Sequence, residues 1–150
     1  MTLSIRPAGP QDAAAILDFL RGMHAEVGQA PLHFAKALAA ITEVAATGVA
    51  YVVEDDGQIV ASMGLTQFDH WYADASFLAE LWLYVAPAYR GDGAAIALLM
   101  AEARDLAERT GLSVYVDHYR PRRGGGLGVV ADRAGFTPIS RILEISPGDI

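Results

Sequence analysis

The chain has 150 residues, 53% of them hydrophobic and 19% charged, a composition typical of one folded domain with a sizeable core rather than of a disordered segment. The formal net charge of -7 argues against broad nucleic-acid binding, in which basic side chains neutralise phosphates. The absence of cysteine excludes disulfides, thiol catalysis and thiolate metal ligands, and it favours a cytoplasmic location. Neither a membrane-spanning apolar run nor the apolar core of a signal peptide is found, so no membrane association is expected.

The first half of the sequence predicts three strands and two helices from periodicity and from helix-start signals. In chain order these are a strand at 3–6, helices at 10–23 and 31–46, and strands at 49–54 and 58–66. Pro10 opens the first helix, because proline is well tolerated in a first helical turn. Asp55-Asp56-Gly57 is a strong hairpin-turn signal between the last two strands.

The second half predicts a central strand, a long helix and a parallel partner strand. The elements are a polar, aromatic loop at 67–76, a strand at 77–85, a helix to about residue 110, a strand at 112–117, a loop at 120–128, a short helix at 129–134 and a last strand at 139–145. Gly111 is a natural cap for the end of the long helix. The strands at 77–85 and 112–117 are expected to be parallel, because a helix crosses between them.

The junction between the central strand and the long helix is the most informative stretch. The strand stops at Pro87, and the small residues Gly91, Gly93 and Ala94 lead into the helix. A helix start presents unpaired main-chain N–H groups and the positive end of the helix dipole. Small side chains let a ligand approach these groups closely. The residues by themselves therefore indicate a binding site for a phosphate-bearing cofactor.

This junction reads Arg90-x-x-Gly93-x-Ala95, preceded by Tyr84-Val85-x-Pro87, and it resembles the acyl-CoA signature of the GCN5-related N-acetyltransferases (GNAT). The resemblance implies an α/β (α+β) fold spanning 1–150 as a single domain. Its central sheet is mixed and mostly antiparallel, with about six to seven strands flanked by about four helices. The sheet is expected to be splayed where 77–85 and 112–117 part, and the first two helices roof the acceptor cleft.

By the same resemblance the cofactor is acetyl-CoA. The turn amides are expected to hold its pyrophosphate, and the main chain of the central strand its pantetheine arm and thioester carbonyl. The implied cofactor-binding residues are Leu83, Tyr84, Val85, Arg90, Gly91, Asp92, Gly93, Ala94 and Ala95. Four arginines late in the chain either contact a 3′-phosphorylated adenosine or belong to a solvated loop; they are Arg120, Arg122, Arg123 and Arg133.

Glu80 is the best candidate for a general base. It lies in an apolar strand, where burial raises a carboxyl pKa, and relatives often carry a glutamate on this strand. Regular alternation places Glu80 on the same face as Trp82 and Tyr84; the alternative is a polar residue at an edge. The general acid is open, since Ala131 stands where relatives carry a tyrosine. Tyr119, Tyr84 and water remain candidates.

The expected function is transfer of an acetyl group to a primary amine, in a small molecule or a peptide, by direct attack in a ternary complex. The alternative is a non-catalytic acyl-CoA-binding module of the same fold, and another acyl donor is also open. A group of carboxylates and aromatic rings either lines a site for a small cationic amine or belongs merely to a hairpin tip: Asp69, Asp74, Glu80, Trp71 and Tyr72. Relatives often form homodimers, so that state is open as well.

Other motifs carry little weight. Gly126-x-Gly128-x-x-Ala131 superficially matches a dinucleotide fingerprint, but too little sequence follows it to build a second parallel unit. The segment 60–64 lacks the first glycine of a nucleophile elbow, which excludes a serine hydrolase. The histidines lack metal-ligand spacing, so no metal is expected. His70 and His118 each follow an aspartate and are either bases near neutral pH or ordinary surface residues.

Overall fold

The computed structural model describes residues 2–28, 30–47, 49–117 and 133–137. In these ranges lie five strands and three α-helices: β1 (Leu3–Pro7), α1 (Ala13–Val27), α2 (Phe34–Ala46), β2 (Ala50–Asp55), β3 (Gln58–Asp69), β4 (Ser76–Val85), α3 (Ala94–Thr110) and β5 (Val114–Tyr115). Short 3-10 turns occupy Pro10–Asp12 and Pro87–Tyr89. No helix in the described ranges combines the length and the apolar character needed to cross a bilayer.

The five strands form one sheet in the order β1-β2-β3-β4-β5. The first four are antiparallel, and β5 is parallel to β4 because α3 crosses between them. The prediction of a mixed, mostly antiparallel sheet is therefore confirmed. The predicted counts of strands and helices are slightly higher than those of the described part. The predicted strand at 139–145 and most of the predicted helix at 129–134 lie outside it.

Each face of the sheet is covered by helices. On one face α1 and α2 pack Ile16 and Ile41 against Val52 and Trp82. On the other, Leu99 and Met100 of α3 pack against the opposite side of β2 and β3. Burial of such side chains contributes about 1.5–3 kcal/mol each, so the two cores hold the helices in fixed positions on the sheet.

Several predicted boundaries were wrong: the first helix runs to Val27 rather than to residue 23, and β5 covers only Val114–Tyr115 of the predicted strand at 112–117. The strand expected to end at Thr66 runs on to Asp69, because Phe68 pairs and stacks with Phe77 across the hairpin with ring centroids 5.8 Å apart. The predicted loop at 67–76 is therefore shorter, at 70–75. The second helix begins at Phe34 rather than at Pro31, with the His33 ring accepting a hydrogen bond from the N–H of Lys36.

A β-bulge interrupts β4 beside its neighbour β3. Gly64 is opposite Trp82 and Leu65 is opposite Glu80, which leaves Leu81 as an extra residue on β4. Trp82 packs against α1 and α2, whereas Leu65, the partner of Glu80, packs in the core of α3. The prediction that Glu80 shares a face with Trp82 and Tyr84 is therefore wrong, since the bulge shifts the alternation of side chains by one residue.

Close contact between Gly64 and Trp82 fixes this register. The indole Nε1–H of Trp82 donates to Ser62 Oγ at 2.9 Å, and Ser62 Oγ donates to the carbonyl of Tyr51 at 2.9 Å. A Cβ added at Gly64 would lie 2.3 Å from Cη2 of the Trp82 ring. Only glycine leaves room for the ring beside β3.

We expect Gly64→Ala to lower the free energy of unfolding by about 2–3 kcal/mol, because the buried ring must move and its hydrogen bond is lost. Urea denaturation of the purified variant measures the loss. The control is Gly91→Ala, whose Cβ would meet no atom of the described residues within 4 Å. Equal stabilities of the two variants would contradict the assigned role of the glycine.

Candidate functional site

The sheet opens along the second half of β4. Among the described residues β5 pairs with β4 only at Leu78 with Val114 and at Ala79 with Tyr115. The bulge at Leu81 begins two residues further on. The two parallel strands part at this point, as the predicted splay between the fourth and fifth strands requires.

Beyond the bulge, the main-chain N–H and C=O groups of successive β4 residues point alternately toward β3 and toward this opening. The N–H of Ala86 donates to the carbonyl of Val60 at 2.9 Å, and with the antiparallel register this directs the main chain of Tyr84 toward β3. The N–H and C=O groups of Leu83 and Val85 consequently point away from β3. The carbonyl of Val85 accepts a hydrogen bond from Arg90 Nε at 2.9 Å.

The turn before α3 has the geometry of an anion site. Gly93 takes a left-handed conformation with φ 71°, and the helix begins at Ala94. The N–H of Ala94 donates to Asp92 Oδ1 at 3.0 Å, so the protein's own carboxylate already contacts the helix start. The N–H groups of Gly91, Gly93 and Ala95 have no acceptor in the part of the chain that the structure describes.

The Arg90 side chain is bound within the protein. Its Nη2 lies 3.0 Å from both carboxylate oxygens of Glu26 near the end of α1, and its guanidinium lies 5.3 Å from the ring centroid of Tyr84. The Tyr84 hydroxyl donates to the same carboxylate at 2.6 Å. Burial acts to raise the pKa of Glu26, but the hydrogen bonds from Tyr84 and Arg90 outweigh it and lower that pKa. Glu26 therefore ties α1 to the start of the turn.

Tyr84 holds its proton tightly. Burial and the hydrogen bond to Glu26 raise the pKa of the Tyr84 hydroxyl to about 12. Its ring also packs at 5.2 Å from that of Phe19. The Tyr84 side chain thus acts in the packing of α1, and its proton is directed at Glu26 rather than at the opening.

Glu80 carries the most perturbed carboxyl group. Burial, followed by repulsion from the charge of Asp117, raises the pKa of Glu80 to about 8. Its Oε2 atom is buried and has no hydrogen-bond partner among the residues described. A carboxyl group of this kind exchanges a proton near neutral pH, as a general base must.

An apolar groove lies between α2 and the sheet. It has a volume of about 390 Å³ and is lined by side chains of α2, including Val44 and Glu43, and by residues of β3 and β4. Leu81, the extra residue of the bulge, forms part of its wall and is 53% exposed. The groove therefore reaches the same bulge that Glu80 adjoins.

Several predicted site residues lie outside the described residues. They are Tyr119, His118, Ala131 and the arginines Arg120, Arg122 and Arg123. Arg133 is described and exposed. In the same described ranges no three His, Asp or Glu side chains form a group that could hold a metal ion.

The roles of Glu26 and Leu81 could not be recognised from the sequence. Glu26 is 64 residues from Arg90, and no local pattern connects them. Leu81 becomes exceptional only through its bulge, although the nearby Gly64 is a weak signal that two side chains approach closely at that point.

The family model for an acetyltransferase (GNAT) domain matches residues 46–128. No curated protein gives a significant match. Similar solved structures include a predicted acetyltransferase with acetyl-CoA from Clostridium acetobutylicum, with 17% identity, TM-score 0.71 and coverage of 97% of this chain and 96% of that one.

Two further structures share the fold. An aminoglycoside acetyltransferase from an uncultured soil metagenomic sample, in complex with sisomicin, has 13% identity and TM-score 0.70, with coverage of 96% of this chain and 94% of that one. A ribosomal-protein-alanine N-acetyltransferase from Brucella melitensis has 15% identity and TM-score 0.66, with coverage of 97% and 100%. The family match spans more than half of the sequence, and the fold agrees with it: the chain belongs to the GNAT acetyltransferase family.

Proposed function

We propose that the protein is an acetyl-CoA-dependent N-acetyltransferase, built as one domain, that moves an acetyl group to a primary amine by direct attack in a ternary complex. The observation that carries this proposal is the opening beside β4, where a buried carboxyl group adjoins main-chain groups that point away from β3. Family membership supports acetyl transfer, and the opening between β4 and β5 supports the proposal that the reaction takes place beside β4.

The residues around the opening fit the cofactor. The main chain of Leu83 and Val85 would hydrogen-bond its pantetheine arm and thioester carbonyl. The turn from Arg90 to Ala95 would hold its pyrophosphate, and the carboxylate of Asp92 at the Ala94 N–H supports this by marking where an anionic oxygen fits. Open space where a Cβ of Gly91 would stand leaves access to the main chain. When bound, acetyl-CoA supplies an acetyl group activated as a thioester.

Glu80 is proposed as the general base. An alkyl amine has a pKa near that of lysine, about 10.4, and so arrives protonated. Glu80, with its pKa raised to about 8, would accept this proton through water. Tyr84 is the weaker of the two tyrosine candidates for general acid, because its hydroxyl donates to Glu26. Tyr119 therefore remains the proposed acid.

The acceptor is proposed to approach from the groove between α2 and the sheet. This groove meets the bulge from the face opposite to α3, so that the amine and the cofactor would come from different sides. The net charge of -7 favours a cationic acceptor. The two named relatives, an aminoglycoside acetyltransferase and a ribosomal-protein-alanine N-acetyltransferase, illustrate the classes in question, a small amine and a polypeptide.

The test is thiol release from acetyl-CoA in the presence of a panel of amines. We expect release with at least one cationic amine and acetylated product by mass spectrometry. The chain has no cysteine, so every thiol detected comes from the cofactor. Calorimetric binding of acetyl-CoA without any turnover across the panel would instead support the alternative, a non-catalytic acyl-CoA-binding module, which the alanine at position 131 motivates.

A further inference from the structure

A row of aromatic rings runs from the β3–β4 hairpin loop to β5. Trp71 contacts Tyr72 at a centroid distance of 5.5 Å, and Tyr72 contacts His70 at 5.2 Å. His70 in turn lies 4.7 Å from Phe77, which lies 4.9 Å from Tyr115 of β5. Together with Phe68, which stacks on Phe77, we call these residues the aromatic ladder: Phe68, His70, Trp71, Tyr72, Phe77 and Tyr115.

The outer end of the aromatic ladder faces solvent. Trp71 is 94% exposed and Tyr72 is 68% exposed. Sites for small molecules are concave and bury most of the ligand, whereas the Trp71 and Tyr72 rings are exposed among the residues that the structure describes. Contiguous exposed apolar surface of this kind is typical of contact with a macromolecule.

The hairpin that carries most of the aromatic ladder is acidic in sequence. Asp69 ends β3 and Asp74 lies in the loop that follows, and the sequence from residue 66 to residue 80 contains no lysine or arginine. Both carboxylates and the faces of the rings attract cations. A second copy of this acidic chain would bring the same carboxylates together, which disfavours pairing of two protomers through the hairpin.

The length and direction of the aromatic ladder suit an extended chain. The path from Trp71 to Tyr115 is at most about 20 Å, the span of about six extended residues at roughly 3.3 Å each. Tyr115 pairs with Ala79, next to Glu80. A segment lying on the rings would therefore lead from the hairpin to the opening in the sheet.

We propose that the aromatic ladder binds an extended basic polypeptide segment, with its arginine and lysine side chains on the rings of Trp71 and Tyr72. This contact would present an amine of the polypeptide to the opening between β4 and β5, an inference that rests on the proposed function. The surface itself can be tested without the cofactor, so a failure of the surface and a failure of the proposed catalysis are distinguishable.

The two tryptophans of the chain make the binding test direct. Trp82 is 4% exposed, whereas Trp71 is almost fully exposed, so acrylamide quenches mainly Trp71. The probe is a hexapeptide of alternating arginine and alanine with both termini blocked, which cannot accept an acetyl group on a primary amine. We expect this peptide to protect Trp71 from quenching. A hexapeptide with glutamate in place of arginine is expected to give no protection.

The test variant carries both Trp71→Ala and Tyr72→Ala. The control variant is Phe34→Ala, which removes a 58% exposed ring of α2 outside the aromatic ladder. With a dye-labelled arginine peptide, we expect about tenfold weaker binding by the double variant and unchanged binding by the control. Equal protection by the acidic peptide, unchanged binding by the double variant, or self-association that shields Trp71 without any peptide would each overturn the proposal.

Steady-state kinetics distinguish binding of the acceptor at the aromatic ladder from the catalytic step. With a blocked lysine–alanine hexapeptide, the double variant is expected to raise KM about tenfold at unchanged kcat, and to raise the KM for a small amine by a clearly smaller factor. Absence of acetylation for both acceptors, with arginine-peptide binding intact, would refute the proposed catalysis alone. An equal change in KM for both acceptors would refute the aromatic ladder as the polypeptide contact.

Discussion

Glu80→Gln is expected to lower kcat by at least about 100-fold and to leave the affinity for acetyl-CoA nearly unchanged. The amide keeps the size of the side chain but cannot accept the proton of the amine, and general-base catalysis contributes about 10²–10⁴-fold. Steady-state kinetics and calorimetry measure the two effects. The control is Glu108→Gln, an exposed glutamate on α3 that makes only a surface ion pair with Arg104.

The pH profile identifies the group. Burial, with the negative charge of Asp117, raises the pKa of Glu80 to about 8, so its base form grows as pH rises to that value. We expect kcat/KM of the native protein to rise up to about pH 8, and the limb due to Glu80 to be missing in the glutamine variant. An increase caused by the amine alone, with its pKa of about 10.4, persists in both proteins. Identical profiles would remove Glu80 from the mechanism.

The contribution of Glu80 to the stability of the folded protein is expected to fall as pH rises, whereas its contribution to kcat/KM rises. The pKa of Glu80 is higher in the folded protein than its ordinary value of 4.5, so the folded state binds the proton more tightly than the unfolded state. This contribution to the free energy of unfolding is present below pH 4.5 and is lost as pH rises through about 8. Glutamine has no such dependence. Relative to the native protein, Glu80→Gln should therefore be more stable at pH 9 than at pH 5, by a few kcal/mol at roughly 1.4 kcal/mol per pKa unit. A variant that is simply misfolded would lose stability at both pH values.

Gly93→Glu is expected to weaken acetyl-CoA binding by more than about 100-fold. The new carboxylate would stand at the start of α3, where it would repel the phosphates and fill the space beside the turn. Calorimetric titration with acetyl-CoA measures the loss. The expected loss of binding depends on the position of Gly93 at the start of α3. A glycine with the same backbone conformation at the other end of the helix therefore provides a control.

That control is Gly111→Glu. Gly111 caps the other end of α3 with φ 71° and ψ 8°, against φ 71° and ψ 6° at Gly93. Both substitutions force a left-handed conformation on a side chain and should cost a similar stability, about 1–2 kcal/mol. Only Gly93→Glu should lose the cofactor. Equal affinity in the two variants would show that the start of α3 does not hold the pyrophosphate.

The local features of this fold could be predicted because their causes are local. The hairpin turn at Asp55-Asp56-Gly57 has positive φ at Asp56 and Gly57, as its residue types indicate. The end of α3 at Gly111 and the strand–turn–helix junction around Gly93 follow from the same kind of signal. These features were sufficient to identify the family and to locate the turn that is proposed to bind the cofactor.

The orientation of the proposed base and the ion pair beside the turn could not be predicted from the sequence, because they depend on contacts between distant segments. The face on which Glu80 lies is reversed by the bulge at Leu81, which is set by pairing with β3 and by the fit of Trp82 over Gly64. The ion pair of Glu26 with Arg90 joins residues 64 positions apart. The sequence by itself thus determined the types of secondary structure and the position of the turn that is proposed to bind the pyrophosphate, since turn chemistry and periodicity act over a few residues. Only the tertiary structure decided at which residue of β4 the two strands part and on which face of the sheet Glu80 lies, since strand register is a property of the packed chain.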